Sequence, residues 1–459
     1  MPAASAHDLT TASNGTERQN ERNVAACTLR LQEQEALLRV HATKDSQRPH
    51  NTHVMYAPKA LEFLEWLKTM GYPDEQVNES RLVLFLTHIG DRPTRKRGRK
   101  RSILTEESII SIEQRCGRDA GLVLQNDIVG HATVASYVNA VMDLWRVQYS
   151  LGTNSILPIR PSSVKEILKQ KKVAAVRVEE ENFQDAGAKT MADTPFSGTT
   201  VQEIVDEMFN LRTEAGLKYR ADILLSLGLS SRGDNIRRLC LPHIGLIEFE
   251  NEGVCGAKLL RTVWRKSKKN QYGNVQETAL LRHKFAQRCP FGALALYFFH
   301  RWQVGDEPWP DFSERRLWYP VYVLKGSSPT TQSSYSQQYA AINIVYSLLG
   351  VQSTVKTQLG RKHASQAESY GASAASVDKQ GHWATNSRNG AYANHVIPFE
   401  CVRVLAGFGP EPKRYYIPRA TVDPPPELQA AIFPHLAESE RLILSNGPEI
   451  AGKSLVDLL

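Results

Sequence analysis

The chain has 459 residues, more than one hydrophobic core usually spans, so two or more domains are expected. Hydrophobic residues make up 41% and charged residues 23%, which is typical of a folded chain and argues against extensive disorder. A formal net charge of +8 favours a polyanionic partner. The N-terminal residues include no apolar signal core, and no segment reaches the roughly 18 apolar residues of a membrane span. We therefore expect neither a secreted nor a membrane-embedded protein.

The six cysteines form no CxxC pair, so the spacing of a zinc ribbon or of a redox motif is missing. Free thiols are the simplest interpretation. We accordingly expect neither a metal ion nor a cofactor.

The N-terminal half predicts an arm followed by a helical domain. Residues 1–50 are polar, with one short helical pattern at 28–40, and are interpreted as a flexible arm. From Tyr56 the apolar spacing predicts a helix that ends before Gly71, with Pro58 in its first turn. Further helices are predicted over Leu104–Ile112 and Thr133–Tyr149. Residues 52–178 thus form a helical bundle in this interpretation.

A polar stretch near residues 179–200 has no apolar periodicity and marks the domain boundary. After it, six helical segments flank three strand-like segments at 246–250, 259–265 and 277–283. The predicted fold class is mainly α with a small antiparallel β-sheet. The second domain is assigned to 195–435, and 436–459 to a C-terminal tail.

A dense basic run follows the first helices, at residues 92–101, and holds no acidic residue. Like charges repel, so an extended loop is expected until a polyanion neutralises it. A nuclear-import signal and a phosphate-binding loop are compatible interpretations, and an idle solvated loop is the alternative. The candidate DNA-binding cations are Arg95, Lys96, Arg97, Arg99, Lys100 and Arg101.

Two further segments contain candidate site residues in a characteristic order. In LGLSSRGDNIRRL, Arg232 follows a hydrophobic helix and a small-residue turn and opens the next helix. Between 356 and 408, the order is Arg361, a Gly381–His382 turn and Tyr392, before a closing run from Pro398 to Phe408. This order resembles the Crypton-type fungal tyrosine recombinases and the related DNA-binding domain of the yeast inner-kinetochore centromere-binding protein. In that pattern a histidine stands where this chain has Gln358.

The resemblance implies a core-binding helical bundle and a recombinase-like domain that acts on double-stranded DNA without metal or ATP. Arg232 and Arg361 would hold the phosphate, since guanidinium groups are permanently charged and bind phosphate oxygens in pairs. Tyr392 would be the nucleophile that forms a 3′-phosphotyrosyl bond, and His382 would contact the phosphate or the tyrosine. The general acid would be a hairpin lysine, and the candidates are Lys266, Lys268 and Lys269.

Three functions remain open from the sequence. The first is DNA strand cleavage and rejoining by a transposon-derived recombinase, and the second is a catalytically silent DNA-binding protein of chromatin, centromere or transcription. The presence of the four motif residues favours the first function: Arg232, Arg361, His382 and Tyr392. Gln358 favours the second, because glutamine is neither acid nor base. The third, an RNA-binding or scaffold protein, is disfavoured because no RNP-like or KH-type signature occurs. We expect a nuclear location, self-association on DNA as a dimer or tetramer, and no small-molecule substrate.

Overall fold

The computed structural model describes residues 7–48, 50–92, 129–181, 183, 198–254, 256–265, 273–351, 353, 359–383, 396–445, 455 and 457–458. For 7–22, 50–51, 198–199, 361–362 and 365 it describes the backbone alone. The contacts divide the chain into two compact units, Met1–Ala186 and Gly187–Leu459. No helix in these described ranges is long and apolar enough to cross a bilayer.

The described residues of unit 1 contain helices and connecting loops and no strand. Its helices are α1 (His7–Ser46), α2 (His50–Thr69), α3 (Glu79–Asp91), α4 (His131–Ser150) and α5 (Ser162–Glu181). The core is formed by the apolar faces of α2, α3 and α4, where Phe63 meets Phe85 edge to face at 5.0 Å between ring centroids and Trp145 is buried. Asn78 caps α3, as its side chain accepts a hydrogen bond from the Arg81 amide. The predicted bundle is therefore present.

Three details of unit 1 differ from the sequence predictions. The segment interpreted as an arm is one helix, α1, because its Ala, Gln, Glu, Arg and Leu residues favour helix even where apolar periodicity is missing. Pro58 lies inside α2 and not in its first turn. The carbonyl that loses its helical partner there belongs to Val54, a residue that is 54% exposed. The helix predicted over Leu104–Ile112 lies outside the described residues.

Unit 2 combines helices with one small sheet. Its helices are α6 (Gly198–Asn210), α7 (Glu214–Gly228), α8 (Gly233–Arg237), α9 (Pro290–Phe299), α10 (Arg315–Trp318), α11 (Tyr335–Leu348), α12 (Leu359–Ser369), α13 (Ala374–Gln380), α14 (Phe399–Leu405), α15 (Pro426–Ile432) and α16 (Leu436–Ser445). A π-helical turn, His300–Val304, continues α9. Helix α7 is buried along most of its length, because α6, α9, α11 and α12 all pack against it.

The sheet has strands β1 (Ile244–Phe249), β2 (Ala257–Trp264) and β3 (Gln276–Leu281), antiparallel and in the order β1-β2-β3. Leu260 of β2 pairs with Leu246 on one side and Leu280 on the other. Helix α14 covers β3, and Val402 and Leu281 belong to one apolar cluster. The predicted fold class, mainly α with a small antiparallel β-sheet, is confirmed.

The C-terminal residues differ from the predicted tail over 436–459. Helix α16 lies in that range, and its Ile443 is buried in the main core of unit 2 together with Leu455. Apolar side chains at these positions account for the packing, since burying each one removes hydrocarbon surface from water. The described residues of this range are thus part of unit 2.

Candidate nucleic-acid interface

Arg232 lies at the junction of α7 and α8. Helix α7 ends at Gly228, and the turn that follows reverses the chain with Ser230 in the left-handed region, at φ 50°. The Ser231 amide donates to the Ser226 carbonyl at 3.1 Å and closes this turn. Arg232 is then the half-buried N-cap residue of α8, and its carbonyl accepts from the Asn235 amide at 2.9 Å. Its backbone position is fixed from both sides.

The start of α12 packs directly against that turn. A Cβ atom on Gly360 would collide with the Ser226 carbonyl oxygen and would lie 2.8 Å from the Ser231 carbonyl oxygen. Only glycine allows this approach, because any side chain would need the backbone to move. Arg361 is the next residue, so its backbone adjoins the turn that leads into Arg232. The Arg361 side chain lies outside the described residues.

Gln380 ties the end of α13 to the same region. The side chain is fully buried and accepts a hydrogen bond from the Thr278 hydroxyl at 2.8 Å. Its amide nitrogen donates to the carbonyls of Ala279, at 2.9 Å, and of Gly228, at 3.2 Å. One side chain therefore joins α13, β3 and the end of α7. This joint holds the chain two residues before His382.

His382 follows Gly381 in the left-handed region, at φ 52°, and its amide donates to the Lys379 carbonyl at 3.2 Å. Its ring meets the Trp264 ring edge to face, at 5.8 Å between centroids. Trp264 is the last residue of β2, directly before the segment that carries the three candidate lysines. The His382 turn and the base of the predicted lysine hairpin are therefore neighbours.

The environment of His382 favours the neutral imidazole. Part of the residue is exposed, but its Nε2 atom is closed off from water and has no hydrogen-bond partner. Burial lowers the pKa of His382 to about 4, because the charged form would lose its hydration. The indole Nε1 of Trp264 is likewise buried and has no hydrogen-bond partner. Each buried polar atom without a hydrogen-bond partner lowers the stability of the folded chain by about 1–3 kcal/mol.

A buried polar chain supports α8. The Gln338 amide nitrogen donates to an Asp222 carboxylate oxygen, and the Gln338 oxygen accepts from the Arg237 guanidinium. These residues come from α11, α7 and α8. Burial raises the pKa of Asp222 to about 6, against the opposing effect of Gln338. The helix that Arg232 opens is anchored to the core through this chain.

The structure thus brings together the backbone segments of Arg232, Arg361 and His382 with the end of β2. The remaining predicted residues lie outside the described ranges: Lys266, Lys268, Lys269, Gln358, Tyr392 and the cations Arg95, Lys96, Arg97, Arg99, Lys100 and Arg101. In the described part of the chain, no group of three or more His, Cys, Asp or Glu residues could hold a metal ion.

The sequence reasoning missed three residues that build the site. Gly360 and Gln380 each stand one or two positions from a predicted residue, and Asp222 lies within an apolar helix. A glycine before Arg361 and a polar residue inside the hydrophobic pattern of α7 were the available signals. Their contacts join segments far apart in the chain, so spacing alone did not reveal them.

A family comparison gives the affiliation of the chain. Residues 148–459 match the model of the centromere DNA-binding protein complex CBF3 subunit, domain 2. The chain belongs to this family. The matched residues include all of unit 2 and every described residue of the candidate interface. A search of curated proteins found no match.

Solved structures similar to this family member include a budding-yeast protein and a recombinase. Ndc10, described as a platform for inner kinetochore assembly in budding yeast, is 13% identical, with a TM-score of 0.32 over 90% of this chain and 88% of that chain. The Flpe-Holliday junction complex is 11% identical, with a TM-score of 0.40 over 90% of this chain and 96% of that chain. An FLP recombinase-Holliday junction complex is 14% identical, with a TM-score of 0.37 over 70% of this chain and 77% of that chain.

Proposed function

We propose that this chain binds double-stranded DNA in the nucleus. The observation that carries the proposal is membership, over residues 148–459, of the family named for a centromere DNA-binding complex subunit. The net charge of +8 supports a polyanionic partner. The six cations of the basic run would contact backbone phosphates, and self-association on DNA would give a dimer or tetramer.

The interface assigned to this function is the junction of α7, α8, α12 and α13. Arg232 and Arg361 would bind one phosphate between them, because their backbones adjoin at Gly360. Neutral His382 can donate from only one ring nitrogen, so the positive charge at this site comes from the arginines.

The test of this assignment is a double-mutant cycle on duplex affinity. Arg232→Ala and Arg361→Ala are each expected to weaken binding roughly 10- to 100-fold, the value of one charge-assisted contact. If the two arginines hold the same phosphate, the double variant should lose little more duplex affinity than either single variant. Arg238→Ala, on a side chain that already pairs with Asp234 at 2.9 Å, is the control and should stay within about twofold of the unaltered chain. Fully additive losses would contradict a shared phosphate.

A second function, DNA strand cleavage, is supported by the meeting of three recombinase-like motif segments in one place. The Tyr392 phenol would lose its proton to water as its oxygen attacks the scissile phosphorus and forms a 3′-phosphotyrosyl bond, and the bond from phosphorus to the 5′ oxygen would break. The 5′ oxygen would leave with a proton from Lys266, Lys268 or Lys269. A Crypton-type origin and a tyrosine-recombinase fold belong to this proposal. Gln358, in place of histidine, favours silent binding instead.

Cleavage is tested by trapping the covalent intermediate on nicked duplex substrates. An active chain should yield a protein-DNA adduct that Tyr392→Phe abolishes while duplex binding persists, since only the nucleophilic oxygen is removed. Gln358→His should raise the adduct yield in a lineage that lost activity by this change. A chain that binds duplex DNA but never forms an adduct is a silent binder, and the cleavage proposal then fails.

A further inference from the structure

Helix α1 exposes an apolar row that unit 1 does not use. Val24, Leu31 and Leu38 follow one another at intervals of seven residues and are 66%, 57% and 50% exposed. None of the α1 side chains described, from residue 23 onward, belongs to the core of unit 1. Near the C-terminal end of the helix, Arg48 forms an ion pair with Asp143 at 2.7 Å, and the His53 ring lies 3.9 Å from the Asp45 carboxylate. The row is thus available to a partner.

The spacing fits a coiled coil. With Val24, Leu31 and Leu38 at heptad position a, position d holds Cys27, Gln34 and His41, and the pattern covers the three heptads of residues 24–44. We propose that α1 pairs with α1 of a second copy as a parallel, in-register, two-stranded coiled coil. This inference does not rest on DNA binding, because it concerns the chain alone.

Charge complementarity supports a second copy as the occupant. In a parallel pair, a residue at position g faces position e of the partner five residues later. Arg30 occupies g and Glu35 occupies e, so each Arg30 faces Glu35 of the other copy, twice per dimer. Glu35 lies 3.9 Å from Arg39 of its own chain in a highly exposed pair, which leaves its carboxylate accessible. At the next g and e positions, Leu37 faces Ala42 and extends the apolar contact.

The polar residues at d limit the strength of this pairing and fix its register. Gln34 and His41 are less favourable in a seam than leucine, and an in-register pair lets each meet its counterpart. Cys27 would likewise meet Cys27 of the other copy. A shift of one heptad, or an antiparallel pair, would separate the two thiols. Association is therefore expected to depend on protein concentration.

The first test is sedimentation equilibrium of the full chain without DNA. Leu31→Lys and Leu29→Lys form a matched pair, since the two leucines are 57% and 59% exposed but Leu29 points away from the seam at position f. Leu31→Lys should raise the dimer dissociation constant at least about 100-fold, since two buried leucines are lost. Leu29→Lys should leave it within about twofold. A monomeric unaltered chain, or equal effects of both variants, would overturn the proposal.

The second test distinguishes the parallel register. Cys27 is exposed as a free thiol, and mild oxidation with diamide should join two copies through it. Cys27→Ser should remove that covalent dimer while sedimentation still finds the non-covalent one. A dimer that depends on Leu31 but never joins through Cys27 would contradict the parallel in-register pair. Because DNA is absent from both tests, their failure leaves the DNA-binding proposal as it stands.

Discussion

Neutralising the basic run is expected to reduce duplex affinity by orders of magnitude at low salt. The variant replaces Arg95, Lys96, Arg97, Arg99, Lys100 and Arg101 with glutamine. Each lost phosphate contact removes about 0.9 from the slope of log affinity against log salt, so six contacts remove about 5. The measurement is fluorescence anisotropy of a labelled duplex over a salt series.

A charge-retaining variant controls for changes in the loop itself. Exchanging arginine for lysine and lysine for arginine at the same six positions keeps the total charge and should preserve most of the slope. An unchanged salt slope and an unchanged affinity in the glutamine variant would mean that the basic run does not contribute to DNA binding. The nuclear-import interpretation is tested separately, by the location of each variant in cells.

Gln380→Leu should lower the free energy of unfolding of unit 2 by about 3 kcal/mol or more. The leucine fills nearly the same volume but leaves the Thr278 hydroxyl and two carbonyls, of Gly228 and Ala279, without this partner. Each buried polar group so stranded costs about 1–3 kcal/mol. Urea unfolding followed by tryptophan fluorescence measures the change, since Trp264 lies close to the joint.

Gln429→Leu is the matched control for this substitution. Gln429 is exposed and makes one side-chain hydrogen bond, to the Pro424 carbonyl at 2.8 Å, so its loss should cost within about 0.5 kcal/mol. Equal stability of the two variants would mean that Gln380 does not hold α13 to the sheet. The His382 turn would then need another support.

Local patterns in the sequence were sufficient for most of the secondary structure. Apolar periodicity predicted the helix observed as α4, because that pattern reflects the face that the helix buries, and strand-like segments predicted the positions of β1 to β3. Apolar periodicity did not predict the full length of α1, because this helix buries no described side chain in the core. The C-terminal packing of Ile443 and Leu455 was missed for a related reason, since a short apolar segment does not reveal which core it joins.

The sequence predicted the order of the motifs that form the site, but not the contacts that bring them together. The small-residue turn before Arg232 and the Gly381–His382 turn both indicate backbone geometry that the structure contains. The close approach of Gly360 to Ser226, and the three bonds of Gln380, join residues more than 100 positions apart. Such contacts depend on the finished fold, so no spacing rule contains them. The roles of the residues that lie outside the described ranges remain predictions.

The most direct measurement of the central claim is the affinity of the unaltered full chain for duplex DNA across a salt series. The account predicts binding whose log affinity falls linearly with log salt, with a slope of about −5 or steeper, from the phosphate contacts of the basic run and the arginine pair. A chain with no measurable duplex binding at low salt, or with an affinity that does not change with salt, would contradict it.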